Sequence, residues 1–192
     1  MSEFQPKGGS FNEDIFCYAK GTLILTKNGF VPIEKIHVGH QVITNIKYTN
    51  KFTQLEPVIW ISKFKVKHLN SNSQPICITK HAFGNVPFTN LYVSPKHGIL
   101  INGKLVESNK LVNGTTIYQD TWKDIEYYHL ECKEHRILIA NGVLAESYFN
   151  ANNRHVFEKR KNLFEIRALL ELQKKRLFEQ RKYHFKKRFA LI

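Results

Sequence analysis

Short apolar runs alternate with polar and turn residues along most of this chain of 192 residues. From about residue 16 to residue 148, no long helical period extends through them. Short runs bounded by Gly and Asn are typical of β-strands, so the pattern predicts an all-β domain whose strands pair with distant partners. The predicted strands include residues 22–25, 41–46, 57–66, 75–79, 91–93, 98–101, 116–118, 127–131 and 136–139.

The turns between these runs repeat one dipeptide, Asn-Gly, at 28–29, 102–103, 113–114 and 141–142. Both residues tolerate positive φ, and Asn-Gly between two apolar runs is a strong hairpin signal. We therefore expect a hairpin around residues 28–29, shortly after Cys17. A thiol directly before a paired strand is held rigidly and can be directed at a backbone carbonyl.

The pattern changes after Tyr148. Leu163, Leu170 and Leu177 are seven residues apart, and neither Pro nor Gly occurs from Val143 onward. This spacing predicts one long amphipathic helix or two shorter ones. The sequence thus divides into a flexible leader at 1–15, a β domain at 16–149 and a basic helical extension at 150–192.

The net charge of +13 is unevenly distributed. From Asn150 onward there are 13 Lys and Arg against 4 Glu. A basic amphipathic helix packs its apolar stripe on the β domain or on a second copy. It also suits nucleic-acid phosphates, an anionic membrane or a protein partner. No base-reading motif is present, so sequence-specific recognition has no support.

Composition limits the cellular location and the kinds of site that we expect. No apolar stretch approaches the roughly 20 residues that span a bilayer, and residues 1–14 lack the apolar core of a signal peptide. Three cysteines, Cys17, Cys77 and Cys132, are odd in number and far apart, which fits neither a disulfide framework nor a metal cluster. We expect an intracellular, cytoplasmic protein without cofactor or metal.

Two places carry candidate chemistry. Cys17 is a small buried hydrophobe, as most free cysteines are, or a nucleophile if a base or a lowered pKa activates it. Ser94 and His97 place a hydroxyl and an imidazole three residues apart between two apolar runs. A surface loop histidine is the commoner explanation of that second pattern, so the residues alone do not establish a catalytic site.

Several motifs, taken in order, resemble the Hint domain shared by hedgehog proteins and inteins. A Cys-x-x-x-Gly-Thr motif begins at Cys17, and a Ser-x-x-His motif ends at His97. A Tyr-x-Leu motif at Tyr128 is followed by His135 and then by Gly142. Further stretches at 75–84, 111–115 and 145–148 resemble the Hint_2 subfamily. Together these motifs span about 130 residues.

The resemblance implies an all-β Hint fold of many short strands with a pseudo-two-fold arrangement. It also implies an N-to-S acyl shift, in which Cys17 attacks the carbonyl of Phe16. His97 would protonate the departing amide nitrogen, and Ser94 would orient the carbonyl or the histidine. His135 matches a histidine that often lies near the site. At His129 inteins usually carry Asp, so a carboxylate role is not expected there.

The closing motif departs from inteins, which end in His-Asn followed by Cys, Ser or Thr. Here the corresponding residues are Ala145-Glu146-Ser147, and glutamate does not form the succinimide that releases the downstream segment. The prediction is therefore single-turnover, cysteine-dependent cleavage without full splicing, with the chain's own leader, Met1 to Phe16, as substrate. The alternative is a catalytically silent Hint scaffold whose basic helix binds a partner.

Overall fold

The computed structural model describes residues 16–45, 52–67, 69, 71 and 73–149. The predicted leader and the predicted basic helix lie outside these residues. None of the helices in the described part of the chain is long and apolar enough to cross a membrane.

Antiparallel strands make up almost all of the described regular structure, which confirms the predicted all-β class. Two short 3-10 helices, Ile33–Lys35 and Ser108–Leu111, interrupt them. The strands are β1 Tyr18–Ala19, β2 Leu23–Thr26, β3 Gly29–Pro32, β4 Gln41–Asn45, β5 Phe52–Lys67, β6 Ile76–Ile78, β7 Leu91–Val93, β8 Gly98–Ile101, β9 Lys104–Glu107, β10 Ile117–Gln119, β11 Asp124–Cys132, β12 Ile137–Ala140 and β13 Val143–Glu146.

The strands follow the order β10-β6-β7-β1-β11-β5-β4-β2-β12-β13-β8-β9, with β3 beside β2. The long β5 joins the two parts of this order. Its first half pairs with β4, and its second half pairs with β11. The prediction placed a strand at 57–66, so the pairing with β4 extends it toward the N-terminus to Phe52. Pro57 lies at the change of partner, opposite Gln41.

The Asn-Gly turns confirm the expected hairpin, but they differ in geometry. At 102–103 and 141–142 both residues have positive φ, as a type I′ turn requires. In the first hairpin Thr26 pairs with Gly29, so Lys27 and Asn28 form the loop and only Gly29 has positive φ. At 113–114, the Asn113 side chain accepts backbone N–H bonds from residues 115 to 117.

The strand β1 lies between two hydrophobic clusters because neighbouring residues of a strand face opposite sides. Tyr18 packs into the main core, to which most of the strands contribute. Cys17 and Ala19 pack into a smaller cluster with Val66 and Tyr127. The Phe16–Cys17 peptide bond therefore lies at the start of a strand that is buried on both sides.

Candidate active site

The backbone at Cys17 is paired with Ser94. The N–H of Cys17 donates to Ser94 Oγ over 2.9 Å, and the N–H of Ser94 donates to the Cys17 carbonyl over 3.0 Å. Ser94 directly follows β7, which pairs with β1 through Tyr18 and Val93. Strand pairing therefore brings together two of the predicted site residues that are 77 positions apart.

The carbonyl side of the same peptide bond is held by His129. Its Nδ1 lies 3.1 Å from the carbonyl oxygen of Phe16. The Cys17 sulfur lies 3.6 Å from Nδ1 and 3.5 Å from Nε2 of the same ring. Both ends of the Phe16–Cys17 peptide bond thus have a side-chain partner, and the thiol lies beside the same imidazole.

Burial governs the protonation of these groups. Cys17 and His129 are both 0% exposed. Burial raises the pKa of the Cys17 thiol well above its ordinary value, so the sulfur carries its proton at rest. Burial also lowers the pKa of His129 to about 3, against the opposing hydrogen bond to Phe16, and the electrostatic interaction with His97 lowers it further. The His129 imidazole is therefore neutral.

His97 lies in the turn after Ser94 and is fully buried. Its N–H donates to the Ser94 carbonyl over 3.0 Å, and its carbonyl accepts from the N–H of Ser108 over 2.9 Å. The ring of His97 packs against the ring of Tyr18, with centroids 4.3 Å apart. The predicted imidazole is thus next to the residue that follows Cys17, on the face of β1 opposite the sulfur.

His135 binds a carboxylate. Its Nε2 lies 3.0 Å from Glu146 Oε2, and Glu146 is 1% exposed. The other oxygen of this carboxylate accepts the N–H of Gly98 over 2.6 Å. The Glu146 carbonyl accepts from the Tyr18 hydroxyl over 2.8 Å. The described contacts of His135 therefore connect it to the site through Glu146.

Aromatic rings surround His129. Tyr148 is 4.6 Å from it between ring centroids, Phe64 is 5.4 Å away, and Trp60 lies nearly parallel at 6.1 Å. Such a wall lowers the local dielectric constant and keeps the imidazole in one orientation, which strengthens its contacts with the peptide.

Of the residues that sequence reasoning named, Cys17 and Ser94 are hydrogen-bonded to each other, His97 packs against Tyr18, and His135 binds Glu146. Sequence reasoning missed His129, because the family resemblance places an aspartate there. It also interpreted Glu146 only as a replacement for the asparagine with which inteins end. The available signal was a histidine within the apolar run 127–131, where a buried imidazole needs a polar partner.

Comparisons with known proteins agree with the all-β fold and show the family. The family model of the Hint domain matches residues 16–152. The Bacterial Intein-Like domain from Clostridium thermocellum is similar in fold, with a TM-score of 0.54 and 16% identity over 70% of this chain and 100% of that one. A variant of the Ssp DnaB mini-intein has a TM-score of 0.51 and 13% identity, over 69% and 94%. A search of curated proteins finds no match.

Proposed function

Because this chain belongs to the Hint domain family, we propose that it processes itself by an N-to-S acyl shift at the Phe16–Cys17 peptide bond. One observation carries the proposal. The amide N–H of this bond is held by Ser94, and its carbonyl oxygen is held by His129, with the Cys17 sulfur alongside. Holding the reacting groups in position makes attack on the carbonyl effectively intramolecular.

The step converts an amide to a thioester. The Cys17 sulfur bonds to the Phe16 carbonyl carbon, and the carbonyl electron pair moves to oxygen. When this pair returns, the C–N bond breaks and its electrons stay on the Cys17 nitrogen. We assign the protonation of that nitrogen to His97, a general-acid role worth about 10²–10⁴ in rate. Overall, the thiol proton ends on the new amine.

Ser94 and His135 have supporting roles in this proposal. Ser94 Oγ accepts the scissile N–H and so fixes the plane of the peptide that is to break. His135 holds the Glu146 carboxylate, which in turn binds the backbone next to His97. A second nucleophile, either water or a thiol, then resolves the thioester and releases the segment that ends at Phe16. Because Glu146 replaces the cyclising asparagine, splicing does not follow.

Intact mass spectrometry tests this function. We expect hydroxylamine or a small thiol to cut the purified full chain between Phe16 and Cys17, releasing the preceding segment as its hydroxamate or thioester. Cys17→Ala leaves the chain whole under the same conditions. A wild-type chain that stays intact, or a Cys17→Ala chain that is cut equally fast, contradicts the acyl shift.

The uneven charge favours a second candidate function, a Hint scaffold that binds an anionic partner through residues 150–192. Its 13 basic residues suit phosphate contacts, whose strength falls as salt rises. Retention on heparin that decreases with salt, and that disappears when the chain is truncated after Tyr148, supports this function. Equal retention of the truncated chain contradicts it.

A further inference from the structure

We propose that His129 is a catalytic residue of the acyl shift, with one ring nitrogen polarising the Phe16 carbonyl and the other accepting the Cys17 thiol proton. This inference rests on the proposed function and names a group that the reaction otherwise lacks. A buried thiol does not ionise beforehand, so its proton must pass to a base as the sulfur attacks.

Strand register places His129 there. Tyr18 pairs with Tyr128 in the antiparallel ladder between β1 and β11, so Cys17 comes directly opposite His129. Opposite residues of such a ladder present their side chains to the same face, with Cβ atoms about 5 Å apart. The contact between sulfur and imidazole therefore follows from the sheet rather than from a mobile loop.

The two contacts of the ring specify its tautomer. A carbonyl oxygen only accepts hydrogen bonds, so the nitrogen 3.1 Å from Phe16 O, Nδ1, carries the hydrogen. In a neutral imidazole Nε2 then has the lone pair. The Cys17 sulfur lies 3.5 Å from Nε2 and 3.6 Å from Nδ1, so it is within reach of that lone pair but almost equally far from both nitrogens. One neutral ring thus has its donor toward the carbonyl and its acceptor beside the thiol.

The surroundings of His129 keep the ring neutral. The titratable groups near it are the Cys17 thiol, His97 and the Tyr148 ring, and Tyr127 lies beside Cys17. An ionised carboxylate here has no hydrogen to donate to the carbonyl, and an imidazolium has no lone pair for the thiol. A neutral histidine satisfies both requirements.

The step balances in atoms and charge. As the Cys17 sulfur bonds to the Phe16 carbon, its proton moves to Nε2 of His129. The carbonyl electron pair moves to the oxygen, where Nδ1–H stabilises it. When the C–N bond breaks, the Cys17 nitrogen takes a proton from His97. After the thioester has formed, His129 loses its extra proton to solvent and His97 regains one from solvent, so the number of protons is unchanged. The product is an isomer that contains a thioester and an amine.

Matched variants test the two roles separately. His129→Ala removes both, and we expect it to slow hydroxylamine cleavage by about 10²–10⁴-fold. In His129→Asn, the amide N–H replaces Nδ1–H but no base remains, so its rate should fall between those of His129→Ala and the wild type. The exposed His37→Ala, with an expected wild-type rate, controls for loss of a histidine elsewhere.

The outcomes distinguish this inference from the proposed function. If the wild type is cut and folded His129→Ala is cut within about twofold of it, the role of His129 is wrong while the acyl shift stands. If the wild type is not cut, both are wrong. Should His129→Ala fail to fold, nitrogen NMR of Cys17→Ser decides: a neutral Nδ1–H tautomer from pH 5 to 8 is expected, and an Nε2–H tautomer or an imidazolium overturns the proposal.

Discussion

At the scale of single residues, the chemistry of the site depends on what each buried group contacts. Cys17 has a raised pKa and is a poor nucleophile by itself. Its reactivity therefore depends on its neighbours: His129 at the sulfur and the carbonyl, and Ser94 at the amide nitrogen. These contacts engage both the carbonyl oxygen and the amide nitrogen of the Phe16–Cys17 peptide bond.

Ser94 gives the residue-scale prediction. In Ser94→Ala the N–H of Cys17 loses the acceptor that is now 2.9 Å away. The loss of one buried hydrogen bond, about 1.4–2.8 kcal/mol, should slow cleavage at Phe16–Cys17 by about 10- to 100-fold. Hydroxylamine time courses measure it. Ser94→Thr keeps the oxygen and should recover most of the rate; equal loss in both variants argues against a role for the hydroxyl.

At the scale of elements, the ends of strands carry much of the site, while His129 lies inside β11. Cys17 precedes β1, Ser94 follows β7, and Glu146 ends β13. The fold thereby gathers groups that are far apart in sequence, and short hydrogen-bonded turns keep those strand ends in register. The predictions at this scale concern one strand end and one turn.

Glu146 ties three elements of the site together, since its carboxylate binds Gly98 N–H and His135 while its carbonyl binds Tyr18. Glu146→Ala should lower the free energy of unfolding by about 1–3 kcal/mol, because two buried donors lose their acceptor. It should also slow cleavage. Glu146→Gln keeps an oxygen for Gly98 and should recover both properties. Urea denaturation and cleavage rates measured together test this, and a stable Glu146→Ala chain would count against the network.

The turn at residues 141–142 provides a matched comparison of two glycines. Gly142 and Gly29 both have positive φ, but only at Gly142 would an added Cβ come within 2.8 Å of Val86 Cγ1. Gly29→Ala should cost about 1–2 kcal/mol for the backbone conformation. Gly142→Ala should cost about 1–3 kcal/mol more for the clash. Thermal unfolding in a Cys17→Ser background tests this, and equal costs would show that Val86 moves aside.

At the scale of the whole molecule, stability and the reactive site share one buried region. The aromatic rings around His129 exclude water, and this burial keeps the imidazole neutral. Burial also keeps the Cys17 thiol protonated. The folded state therefore becomes less stable at a pH at which His129 would be protonated in the unfolded chain.

Acid destabilisation follows from His129. Its pKa is about 3 in the folded chain and about 6.5 when unfolded. Between these values the unfolded state binds more protons, so stability falls as pH falls from about 6.5, by up to about 1.4 kcal/mol per pH unit. Denaturation of Cys17→Ser at pH 7 and pH 4 should show this slope. In the same background, His129→Gln should lack the part of the pH dependence that comes from His129. An equal change in the free energy of unfolding between pH 7 and pH 4 in both chains would contradict the low pKa.

The sequence by itself determined the class of the fold and supplied candidates for the site. Alternating short apolar runs and Asn-Gly turns are local signals, because each reflects the φ/ψ preferences and burial of a few neighbouring residues. They predicted the all-β domain and the first hairpin, and the family motifs pointed to Cys17, Ser94 and His97. The same local signals placed the loop of that hairpin at residues 28–29, one position after the observed loop of Lys27 and Asn28.

Only the tertiary structure decided which residues meet. The register of β1 against β11 brings His129 to Cys17, and the end of β13 brings Glu146 to His135 and Gly98. His129 and Cys17 are 112 residues apart in the sequence, and Glu146 and Gly98 are 48 residues apart. Contacts over such separations leave no local sequence pattern. Such pairings depend on how distant strands pack against each other, and that packing places a neutral imidazole against the peptide bond.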